Sequence, residues 1–161
     1  MNRFSVTAGL ALAVVVVLGL SSPVTAGEQV PFKGGFEGVD TATLLIPPFV
    51  AVEVTATGNA TQLGKFTMTI SLTVNRPTGV ATGAFEFVAA NGDTVFGTLT
   101  GQSTLTPGVL TIEEIFTITG GTGRFAAATG SFNGTRLKNL ATNETIGVFK
   151  GTISSTGAGK R

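Results

Sequence analysis

From Phe66 to Val74 the chain alternates without error, with Phe66, Met68, Ile70, Leu72 and Val74 on one side and Thr67, Thr69, Ser71 and Thr73 on the other. Period two over nine positions places every apolar side chain on one face of an extended strand. A helix would scatter the same residues around its circumference. Thr, Val and Ile fit a pleated, half-buried surface, and Asn75-Arg76-Pro77-Thr78-Gly79 ends the run with Pro and Gly. This segment predicts a β-strand with one wet face and one dry face.

The same pattern recurs. Strands are expected over Gln29–Phe36 (the weakest), Val50–Thr57, Val80–Ala90, Thr94–Leu105, Val109–Thr119, Ala128–Leu137 and Ile146–Ser154. Asn91-Gly92-Asp93 and Pro107-Gly108 supply turn residues between neighbours. The 23 glycines fit tight turns and strand bends and disfavour helix interiors. Eight strands at this spacing predict an all-β fold. An antiparallel sheet with one apolar face must cover that face and protect its edges, and closure into a barrel does both. An eight-stranded antiparallel β-barrel is therefore expected first and a two-sheet sandwich second. An outer-membrane barrel fits less well. Its interfacial girdles use Tyr and Trp, and this chain has neither.

Residues 1–26 read as a signal peptide: Arg3 at the start, an uncharged apolar run from Val6 to Leu20, then Val24-Thr25-Ala26 as a cleavage-like site. Residues 27–161 are then a single domain, secreted or periplasmic, with no membrane contact after cleavage. Loss of Arg3 leaves nine basic against nine acidic residues, and the basic ones are scattered. A nucleic-acid partner normally needs a concentrated basic face, so none is expected. With no Cys and no His, disulfides, Cys- or His-ligated metals and Ser-His or Cys-His nucleophiles are excluded. No cofactor is expected, and no Asp/Asn cluster has the spacing of a calcium site.

Gly121-x-Gly123-x-x-Ala126 matches a dinucleotide fingerprint by letter. That fingerprint needs a following helix and a parallel sheet, and Ala127-Ala128-Thr129-Gly130-Ser131 cannot sustain a helix. A structural reading needs no ligand: Gly120, Gly121 and Gly123 let the chain turn sharply across a neighbouring strand while Phe125 plugs a barrel end. Gly120-Gly121-Thr122-Gly123-Arg124-Phe125, followed by Ala127, Ala128, Thr129 and Gly130, resembles the glycine signature of the allene oxide cyclase and dirigent barrels, and of small secreted bacterial domains of that superfamily. The resemblance extends over Val50–Ser154. It implies an eight-stranded antiparallel barrel, often a homotrimer, with a central cavity for a small hydrophobic ligand. The pocket Tyr of the dirigent proteins has no counterpart here, and no residue aligns with the cyclase Glu.

On the strand from Val109 to Thr119, Leu110, Ile112, Phe116 and Ile118 define an apolar face that Glu114 completes. A regular strand points Glu114 into the interior, where burial raises its pKa and equips it for acid-base work. A bulge at Glu113-Glu114 would instead turn both outward. Glu53 and Glu86 fall on outer faces. Glu114 is thus the one catalytic candidate. Glu114, Arg124, Phe116, Phe85 and Phe87 are expected to line a cavity, with Arg124 either pairing with Glu114 or capping the mouth. The functional expectation is a non-catalytic secreted barrel that binds a small hydrophobic ligand or serves as a homo-oligomeric module. The alternatives are a cyclase or isomerase working by confinement, and a Thr-rich surface or adhesion protein without a cavity. A pocket below roughly 300 Å³ would favour the last.

Overall fold

The computed structural model describes residues 27–154; the expected signal peptide, residues 1–26, lies outside them. Eight strands follow in order: β1 (Gln29–Leu44), β2 (Phe49–Ala60), β3 (Gly64–Asn75), β4 (Val80–Ala89), β5 (Thr94–Thr106), β6 (Val109–Gly121), β7 (Gly130–Asn139) and β8 (Glu144–Ser154). Each pairs antiparallel with the next, and β8 pairs with β1 from Gln29↔Ser154 to Val39↔Glu144. The sheet is a closed barrel with no free edge, and the sandwich alternative is set aside. A single 3-10 turn, Gly123–Phe125, interrupts the β6–β7 connection.

The strands lie where the alternation put them, with one large difference. β1 runs to Leu44 rather than ending at Phe36. Its added inward positions are Gly38, Asp40, Ala42 and, at the rim, Leu44, and the first three carry almost no apolar signal. Pairing holds them: β1 follows β2 in unbroken register from Gly34↔Ala60 to Leu44↔Val50. The one register irregularity between β5 and β6 falls at Phe96/Gly97, opposite Ile118 and Gly120. Glu113 and Glu114 stay in regular register, opposite Gln102 and Gly101. The bulge expected at Glu113-Glu114 is absent, so strand parity turns Glu114 inward.

Glycine does more than make turns. Many of the glycines face inward within strands and leave room for a phenylalanine ring on a neighbour. A Cβ on Gly58 would stand 2.6 Å from Phe66 Cζ, and one on Gly134 would stand 3.0 Å from Phe116 Cε2. Phe32, Phe66, Phe85, Phe87, Phe116, Phe132 and Phe149 thereby interlock as one cluster, half of the ring pairs edge to face and most of the rest tilted, with Phe116 and Phe132 stacked at 4.4 Å. Edge-to-face contact suits the ring quadrupoles, and alternating large and small residues fill a narrow barrel.

The rings fill the barrel toward one end. There the 3-10 turn drives Phe125 into the core, 1% exposed, beside Leu63 and Ala128. Gly123 takes a positive φ of +57°. A Cβ at Gly121 would strike the Thr94 carbonyl and Phe125. The Thr122 N–H donates to that carbonyl at 3.0 Å, and Thr122 Oγ1 accepts from the Thr94 N–H at 2.9 Å. The glycine signature builds the plug. The outer wall is largely Thr and Ser, but Val39, Ile115, Leu137, Ile146 and Val148 stand exposed along β6, β7, β8 and β1.

Candidate functional site

Toward the other end, where the β1–β2, β3–β4, β5–β6 and β7–β8 hairpins form a mouth, the interior changes character. Parity along β7 turns Phe132, Gly134, Arg136 and Lys138 inward, while β1 presents Asp40 and β6 presents Glu114. Antiparallel closure brings the three strands around one point. Arg136 NH1 donates to Asp40 Oδ1 at 2.9 Å and Oδ2 at 2.8 Å. Its NH2 donates to Glu114 Oε1 at 3.0 Å and its Nε to Glu114 Oε2 at 3.3 Å. The guanidinium is 1% exposed and holds two carboxylates at once. Lys138 Nζ stands 3.6 Å from Asp40 Oδ2, and among the described residues its ammonium makes no hydrogen bond.

Burial pushes the Glu114 carboxyl above the ordinary 4.5. The charge and hydrogen bonds of Arg136 oppose that shift without cancelling it, and Asp40 and Glu113 push the same way as burial. For Arg136, burial alone would lower the pKa, but Glu114 and Asp40 together outweigh it and raise it. The guanidinium therefore stays charged. Such a cluster is costly to desolvate and is held by good geometry with its hydrogen bonds met.

Asp40, Arg136 and Lys138 line a cavity of about 640 Å³ that opens at the mouth. The remaining wall is mainly apolar, with Val50, Val52, Leu72, Val74, Leu105 and Leu110, and Arg76 sits toward the rim. A larger hollow of about 980 Å³ crosses the outside of the wall over Gly35, Gly58 and Lys65. It is more open and borders none of the buried charges, so the mouth is the better candidate.

The expected residues are distributed differently. Glu114 is buried at 2% exposure, but both oxygens are bound to Arg136 and it does not line the mouth cavity. Arg124 does not pair with Glu114. It lies at the plugged end, 3.6 Å from Asp93 Oδ2 and 4.8 Å above the Phe125 ring, because the signature that carries it is the plug. Phe85, Phe87 and Phe116 do not line the mouth cavity; they belong to the packed ring cluster. Sequence reasoning missed Asp40, Arg136 and Lys138. Parity from Phe132 along β7 would have placed both cations inside. Asp40 had no such signal, since its half of β1 shows no alternation.

Comparison with protein-family models, with curated proteins and with solved structures returns no match to this chain.

Proposed function

We propose that the protein is an exported, non-catalytic barrel that holds a small, largely hydrophobic ligand in its mouth. One observation carries this reading. A barrel otherwise filled by phenylalanine keeps an apolar-walled cavity of about 640 Å³ at one end, a size typical of small-molecule sites. A purely structural or adhesive barrel has no need of that volume. The resemblance of Gly120–Gly130 to the allene oxide cyclase and dirigent barrels points the same way, since that likeness implies a ligand cavity. The enzymatic alternative is less favoured. Glu114, its acid-base candidate, has both oxygens engaged by Arg136, and proton transfer requires a group within reach of the substrate.

The test uses N-phenyl-1-naphthylamine, a neutral fluorescent probe. It is expected to bind the native protein saturably, one per chain, and Val52→Trp, which fills the cavity from its wall, is expected to weaken binding at least tenfold. Absence of saturable binding by the native protein overturns the reading.

A further inference from the structure

We infer that the rim of the mouth docks on a lipid bilayer by setting the β1–β2 hairpin into its hydrocarbon. This goes beyond the binding reading above and stands independently of it. The connection between β1 and β2 runs Leu44-Leu45-Ile46-Pro47-Pro48-Phe49. Leu44 is 75% exposed and Ile46 85%, and Leu45 and Phe49 are exposed beside them. No charged residue falls between Asp40 and Glu53. The other three mouth hairpins add Val80, Leu105 and Leu140, each exposed at or beside its tip. Apolar side chains gathered at one end of a molecule mark a surface that meets something other than water. Leu44, Leu105 and Leu140 line the mouth cavity as well, so the rim continues into its wall.

The backbone of this hairpin fits hydrocarbon better than a protein partner. Hydrocarbon offers nothing to an unpaired N–H or C=O. Pro47 and Pro48 carry no N–H. The Leu45 N–H donates to the Phe49 carbonyl at 3.2 Å, and the Phe49 N–H donates to the Ile46 carbonyl at 3.1 Å. The Pro48 carbonyl accepts from the Arg76 N–H at 3.2 Å, which ties the β3–β4 hairpin to this tip. The turn therefore settles most of its own polar backbone. A protein interface carries about one hydrogen bond per 100–200 Å², and residues 44–50 hold no polar side chain to supply them. The exposed apolar residues of the barrel wall differ, since Ile115 and Val148 face Asn133 and Thr135 across the strands. Arg76, exposed on the β3–β4 hairpin, is placed to stay among lipid headgroups while the β1–β2 tip goes deeper. The expectation of no membrane contact after cleavage concerned a spanning anchor, and a docked rim needs none.

The test uses the chain from Gly27, which holds all the strands of the closed barrel and its core, with vesicles of phosphatidylcholine, a lipid without net charge. The native chain is expected to float with the vesicles in low and high salt alike. Ile46→Asp should weaken partitioning about tenfold or more, as for the loss of one buried aliphatic side chain, with an unchanged urea midpoint. Val148→Ser, on the wall, should stay within about twofold of native. The sequence has no Cys, so a nitrobenzoxadiazole label on Ile46→Cys reports that site alone. Its emission should shift to the blue on adding vesicles, and the same label on Val148→Cys should not shift. Native chain that stays behind when the vesicles float overturns the proposal, as does Ile46→Asp floating like native or an unshifted label at Ile46. Equal loss with Val148→Ser moves the contact to the wall and overturns the assignment to the rim. A native dimer in the absence of vesicles that Ile46→Asp converts to monomer makes the occupant a second copy and overturns the bilayer. Each outcome leaves probe binding in the cavity to be judged separately.

Discussion

At the scale of single residues, the interior is governed by one guanidinium. Asp40 and Glu114 would repel each other across the barrel were Arg136 not between them, and Glu114 remains the strained member because burial outweighs its pairing. The sign of the resulting pH dependence is fixed. With its folded pKa raised, Glu114 binds a proton more readily in the native protein than in the unfolded chain. The stability this contributes is fully present below the ordinary 4.5 and is lost as pH rises through the raised value. Urea unfolding of native protein and Glu114→Gln between pH 4 and 7 should therefore show the native protein's advantage shrinking as pH rises, by at most about 1.4 kcal/mol per pH unit. A flat or growing advantage would mean that Arg136 wins over burial. Glu114 was legible as an inward candidate because four apolar neighbours share its parity. Its partners were not, because Asp40 and Arg136 are 96 positions apart and meet only through closure of the barrel.

At the scale of strands, the inward face alternates rings with glycines, and the glycine positions are as constrained as the rings. Gly83 in β4 shows this most simply, since a Cβ there would collide with the Ser71 carbonyl of β3, a backbone atom with no rotamer to escape into. Gly83→Ala should destabilise the protein by about 1–3 kcal/mol, the usual cost of overpacking, read as a lower urea midpoint with an unchanged m-value. Gly83→Ala as stable as the native protein would show that the two strands can separate freely there. Seven of the eight strands were readable because their inward residues are apolar over most of their length. The far half of β1 was not, because Gly38, Asp40 and Ala42 serve close approach to the β2 backbone, an ion pair and a cavity wall, which the hydrophobic period does not record. The glycine content suggested turns for the same reason: spacing along the sequence does not say which ring lies across the barrel.

At the scale of the whole molecule, the barrel is two unlike halves on one closed sheet. The plugged half holds the seven interlocked rings and Phe125; the mouth half holds a cavity and a polar cluster, with Leu44, Leu105 and Leu140 exposed at or near its rim. Backbone pairing is continuous around both halves, so any difference in their local stability must come from packing. Local opening is easiest where few buried apolar contacts hold the hydrogen bonds. Amides of Phe32, Phe66, Phe87, Phe132 and Phe149 should therefore exchange only through global unfolding, whereas those of Ala42, Val74, Leu105 and Leu110 should exchange through smaller openings of the mouth hairpins. Occupancy of the mouth would bury apolar wall that now faces the cavity and should slow the second group selectively, leaving the first unchanged. Native-state hydrogen exchange with and without bound N-phenyl-1-naphthylamine reads both effects. Uniform protection around the barrel would show that ladder closure, not side-chain filling, sets local stability, and the hollow end could then stay open to a ligand without weakening the fold.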